Sequence, residues 1–241
     1  MLNKNKNYFI NFVYLSIFAI SLAFLEAAVV IYLRQIYYPQ GFQFSLEVTL
    51  TNRMFYIEIL RELSTLIIII FAALLSGQKF MDRFAYFIYI FAIWDIFYYI
   101  FLKLTTDWPS SFLTWDVLFF IPVPWTAPVL FPIISSVTMI VISIFLYNLY
   151  QKYSLSNLSK LEWSLLSTSA FIIFISFIWG YLQVIFENFD LIIKGTSPSS
   201  ISSGYIPARF FWEIFIMGEL LSIAALLFIF RRVRSKDKKK I

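Results

Sequence analysis

Several stretches of this 241-residue chain place ionisable side chains inside runs that are otherwise apolar. Glu58, Arg61 and Glu62 stand at i, i+3 and i+4, so one helical face carries all three. Arg209 and Glu213 form an i, i+4 pair, as do Gln183 with Glu187, Asp95 with Tyr99, and Tyr99 with Lys103. Glu26 lies in the first apolar run, and Glu219 in the last has no evident partner. A charge at mid-bilayer costs about 2.5–3.5 kcal/mol on insertion scales, so residues of this kind mark a functional site or pair with one another.

The charge balance favours a site. Glu26, Glu58, Glu62, Asp95, Glu187 and Glu213 make six carboxylates against the cations Arg61 and Arg209, a net of −4 if all are ionised. An apolar medium does not sustain that, so protons or a bound cation must complete the balance. Oxygen donors alone suit a hard cation. Mg, Ca or Mn is the expected cofactor if one is present, with Glu58, Glu62, Asp95 and Glu213 as candidate metal ligands; protons or Na⁺ are the other options.

Other chemistry is excluded by composition. The chain has no Cys and no His. Disulfides, Cys/His zinc sites, His-ligated haem and Ser-His-Asp or Cys-His catalysis are all ruled out. The glutamate–arginine cluster is similar to that of the intramembrane CAAX-type proteases. Those enzymes need histidines, so that class is excluded too.

The elements that must position these residues are membrane-spanning helices. Hydrophobic residues make up 61% of the chain and charged residues 14%, with a mean hydropathy of +0.80. A water-exposed domain carries about 25% charged residues, and lipid is the solvent that tolerates the difference. The expected fold is an all-α bundle of about six spans: 8–33, 54–76, 84–104, 127–150, 164–186 and 207–230. The whole chain, 1–241, reads as one polytopic domain that ends in a basic tail, 231–241.

Basic residues set the expected orientation. The N-terminus, the second and fourth connections and the tail hold 13 Lys and Arg, and the alternate connections hold 5. The excess is expected in the cytoplasm, which puts both termini there and the intramembrane charges in the outer half of a bacterial inner membrane. The tail is expected to touch anionic lipid headgroups, and its basic charge calls for no nucleic acid.

Ser159-Lys160-Leu161-Glu162 predicts a capping box that opens the fifth span. In the first outer connection, residues 42–49 alternate apolar and polar, which predicts a short extended segment. In the second, residues 112–121 are too apolar for a free loop and too short to span; they are expected as an interfacial or re-entrant helix, with Thr114 or Asp116 as its cap, a role in the site being the alternative for Asp116. In the third, residues 195–204 are a low-complexity Gly/Ser-rich linker.

Three functions fit this pattern. One is a small transporter that binds a cation, proton or polar ligand in an outward-facing carboxylate/arginine pocket. Another is a membrane-embedded enzyme acting on a lipid or lipid-linked substrate, with a pair such as Glu58/Glu62 as acid and base. The third is an accessory subunit whose charges hold helices together.

Overall fold

The computed structural model describes residues 2–37, 52–153, 157–194, 207 and 209–238. The elements are α1 (Leu2–Tyr37), α2 (Asn52–Ser76), α3 (Phe80–Thr106), β1 (Trp115–Phe119), β2 (Trp125–Pro128), α4 (Leu130–Tyr153), α5 (Lys160–Glu187), α6 (Phe189–Ile193) and α7 (Trp212–Lys238). Among the described residues six helices are long and apolar enough to cross a membrane: Ile10–Tyr37, Arg53–Ser76, Phe80–Thr106, Leu130–Gln151, Lys160–Glu187 and Trp212–Ser235. The protein is therefore an all-α bundle of integral-membrane type, and its outer surface is apolar: Leu60, Ile67, Phe71 and Leu74 on α2 are all exposed. The expected extended segment at 42–49 and the linker at 195–204 lie outside the described residues.

Helix α3 is the hub, with α1, α2 and α4 packed on it; α5 packs on α7, and α4 joins the two groups. Lipid tails give helices no hydrophobic reason to associate, so close packing and interhelical hydrogen bonds must hold them. The α1 face toward α3 provides the first: Ala19, Ala23 and Ala27 recur every four residues and are fully buried. Their small side chains let α1 approach the large residues Tyr86, Ile90 and Trp94 of α3, in a cluster that Ile69 and Ala73 of α2 complete. The second comes from serines. Ser143 of α4 donates to the Ala85 carbonyl of α3 at 2.6 Å, and Ser169 of α5 donates to the Gly218 carbonyl of α7 at 2.9 Å. Gly218 is needed there, because a Cβ would stand 2.6 Å from Ile173 Cγ1.

The capping box at the start of α5 is present. Ser159 Oγ accepts from the Glu162 amide at 3.3 Å, and the Glu162 carboxylate accepts from the Ser159 amide at 2.7 Å. It lies at the same end of the bundle as the two termini. Glu162 also holds Arg232 of α7 through Nε at 2.6 Å, so this cation of the basic tail is engaged by protein.

One expectation is corrected. The apolar stretch between α3 and α4 is not a helix but an antiparallel hairpin, pairing Asp116 with Ala127, Val117 with Thr126 and Phe119 with Trp125. Its aromatic and β-branched residues fit a strand, and Pro122 and Pro124 fall in the turn, where no ladder hydrogen bond is lost. The hairpin must satisfy its own backbone if it is to sit against membrane helices. The ladder does most of this, and Val129 and Leu130 donate to the carbonyls of Thr114 and Phe112 at 3.0 and 2.8 Å. Thr114 caps no helix: its hydroxyl accepts from the Ser111 amide at 3.0 Å. Asp116 is no cap either, and its partners are tertiary.

Candidate functional site

Helices α1, α2 and α3 and the hairpin line a cavity of about 140 Å³. Five of its lining side chains are carboxyls, Glu26, Glu58, Glu62, Asp95 and Asp116, and two are guanidiniums, Arg34 and Arg61. Trp94, Tyr98, Tyr99, Phe119 and Phe120 supply aromatic walls.

The three helices bring acids to one level. Glu26 lies 11 residues before the end of α1 at Tyr37, Glu62 lies 10 after the start of α2 at Asn52, and Asp95 lies 11 before the end of α3 at Thr106. At a rise of about 1.5 Å per residue these acids lie about 15–17 Å along their helices from the ends that meet the hairpin.

Each acid has a distinct partner. Arg61 is clamped between two carboxylates: it forms an ion pair with Glu26 and meets Glu58 Oε2 at 2.8 Å through Nη2 and 2.9 Å through Nε. The Thr65 hydroxyl, one turn further along α2, donates to the other oxygen of Glu26 at 3.0 Å. Arg34 donates to Asp116 Oδ1 at 3.1 Å while its guanidinium lies 3.7 Å over the Trp108 ring. Tyr99 donates to Asp116 Oδ2 at 3.2 Å. Asp116, which belongs to the hairpin and not to a span, is fully buried. Burial pushes its carboxyl up to about 6, against the opposing pull of the Arg34 charge and the Tyr99 hydroxyl.

Glu62 and Asp95 differ from the rest. Both oxygens of Glu62 accept from the Phe120 amide, at 2.9 and 3.1 Å, which satisfies the backbone N–H just beyond the end of β1. Asp95 accepts from the Ser136 hydroxyl of α4 at 2.8 Å. Among the described residues neither has a basic group within ion-pair distance. The lining groups would sum to −3 if all were ionised.

Comparison with protein-family models, with curated proteins and with solved structures finds no match to the chain. The reading of the site rests on its geometry.

Of the residues singled out from the sequence, Glu26, Glu58, Arg61, Glu62 and Asp95 meet in this cavity. Glu187, Arg209 and Glu213 do not line it. Glu187 is exposed at the end of α5. Arg209 and Glu213 pair with each other as their spacing implied, but with side chains 63% and 47% exposed. Glu213 is thus separated from Glu58, Glu62 and Asp95, with which it was grouped as a metal ligand. No group of three or more carboxylates close enough to hold a metal ion occurs among the described residues. Glu219 is separate too: on α7 it accepts from Ser135 and Thr138 of α4 at 3.2 and 2.7 Å.

The sequence did not point to Arg34, Trp94, Tyr98 or Thr65 as part of the site, and it offered Asp116 a site role only as the alternative to a helix cap. A signal existed for Arg34, which stands eight residues after Glu26 and so shares its face. For Asp116 the sequence left cap and site role open, because only the folded hairpin carries it to α1 and α3.

Proposed function

We propose that this protein binds a cation, or protons, in the chamber between α1, α2, α3 and the hairpin, as a small transporter. One observation carries the reading: five carboxyls face one cavity with two guanidiniums, and the two acids deepest on α2 and α3, Glu62 and Asp95, lack an ion-pair partner among the described residues. A cation entering the chamber gains charge compensation there that no lipid-facing site offers. Arg34 and Arg61 neutralise Asp116, Glu26 and Glu58 in part and keep the walls from repelling one another. The hairpin closes this side of the chamber, since Arg34, Tyr99 and Glu62 tie it to three different helices. The Lys/Arg bias supports an orientation with both termini in the cytoplasm of a bacterial cell, in which the hairpin end of the chamber faces outward.

The test is cation- and proton-coupled flux into proteoliposomes, followed with an internal pH dye and with labelled cations. Asp95→Asn is expected to abolish binding and flux while the variant still inserts and elutes as the parent does. Undiminished flux in Asp95→Asn would refute the reading. Orientation is tested separately: the chain has no Cys, so Ser110→Cys and Ser235→Cys each report one side with a membrane-impermeant thiol reagent. Labelling of Ser110→Cys from outside only is the expected result.

A further inference from the structure

Size, wall chemistry and an unused indole donor narrow the ligand class. The chamber's 140 Å³ is close to the roughly 150 Å³ of an engineered apolar cavity that holds benzene. That is room for about six non-hydrogen atoms, far more than a bare ion fills. Hard divalent cations take six or more oxygens at roughly 2.0–2.6 Å. The carboxylates here are instead spread over separate walls, with no convergent group of three among the described residues. Much of the remaining wall is aromatic, and ring faces attract organic cations once these are desolvated.

Trp94 adds an independent sign. It is 4% exposed and lines the chamber, yet its indole N–H has no hydrogen-bond partner among the described residues. A buried Trp N–H normally has a partner, and an indole can only donate. What it lacks is an acceptor, and neither a metal ion nor an ammonium group is one.

Resting on the cation reading above, we infer that the ligand is a small organic ammonium with an acceptor oxygen two or three bonds away. Its ammonium, with three donors, bridges Asp95 and Glu62 from α3 and α2, and its oxygen accepts from Trp94. Such a group exists as a free amino alcohol or as the ethanolamine end of a lipid headgroup.

The experiment uses the full chain in phosphatidylglycerol nanodiscs and measures equilibrium binding of labelled 2-aminoethanol, with ethylamine, NaCl, MgCl₂ and CaCl₂ as competitors. Saturable binding of 2-aminoethanol is expected, with ethylamine weaker by about tenfold for the missing hydrogen bond. Trp94→Phe should lower 2-aminoethanol affinity about tenfold and leave ethylamine unchanged. Asp95→Asn should weaken both, and Asp95→Glu should retain part of the binding, which separates a lost charge from a lost fold. Adding phosphatidylethanolamine to the discs identifies the source: competition points to the lipid headgroup, and none points to the free amine. If Mg²⁺, Ca²⁺ or Na⁺ binds at this site and the amines do not, the organic ligand is refuted and the cation reading survives. If Trp94→Phe binds 2-aminoethanol as the parent does, the assignment of the oxygen is refuted. If no cation of any kind binds, both readings fall together.

Discussion

Removing the Arg61 guanidinium tests whether the chamber's charges are coupled as the geometry requires. Arg61 is shared by Glu26 and Glu58, and the three side chains are 20%, 10% and 7% exposed. Taking one partner from a buried ion pair costs about 3–5 kcal/mol, mostly because the other charge is left behind. Here two carboxylates lose their partner, which raises the cost. The 20% exposure of Arg61 and the adjoining cavity admit water, which lowers it. Arg61→Met, with a side chain that still fills the space, is therefore expected to destabilise the protein by about 2–4 kcal/mol. The assay is reversible unfolding in mixed micelles by SDS titration, followed by Trp fluorescence. The triple variant Glu26→Gln, Glu58→Gln, Arg61→Met removes the stranded charges as well, and should recover most of the loss, because replacing all members of a buried charge group is often nearly neutral. An Arg61→Met protein within about 0.5 kcal/mol of the parent, or a triple variant no better than the single, would show that these charges do not stabilise one another.

Three further outcomes follow from other parts of the fold. Gly218→Ala pushes a methyl against Ile173 Cγ1 and towards the Ser169 carbonyl, 3.2 Å away, and should cost about 1–3 kcal/mol by overpacking; adding Ile173→Ala should restore part of it in the same SDS titration. Glu162→Ala removes both the α5 cap and the buried partner of Arg232, and should cost about 2–4 kcal/mol, whereas Ser159→Ala should cost about 1 kcal/mol. Asp116 titrates near 6 when folded, against about 3.9 in an unfolded chain, so the folded state binds this proton more tightly. Its contribution to stability falls as pH rises from about 4 to 6 and is level above that, and Asp116→Asn should remove this part of the pH slope in unfolding measured from pH 4 to 8.

The arrangement of polar groups explains why part of the site was legible early. Glu58, Arg61 and Glu62 belong to one helix, and helical geometry alone puts them on one face. Placing Glu26 and Asp95 near the same depth needs only the span ends and the 1.5 Å rise. The same reasoning grouped Arg209 and Glu213 with them, whereas these two pair with each other and do not line the cavity, because depth is not azimuth. The hairpin was misread for a different reason. A ten-residue apolar run has a length open to helix or strand, and what decided between them was the pairing of residues 115–119 with 125–128.

Local rules in the sequence were enough to determine six apolar helices, the capping box at Ser159 and the exclusion of thiol and imidazole chemistry, because each depends on composition or on neighbours within a turn or two. Which helices touch was decided by tertiary structure. The alanine face of α1 is visible in the chain, but that it meets α3 is not. Asp116 and Arg34 are 82 residues apart, and Glu62 and the Phe120 amide are 58 apart. Contacts at such separations depend on how whole elements pack, and a single sequence carries no periodic signal for them.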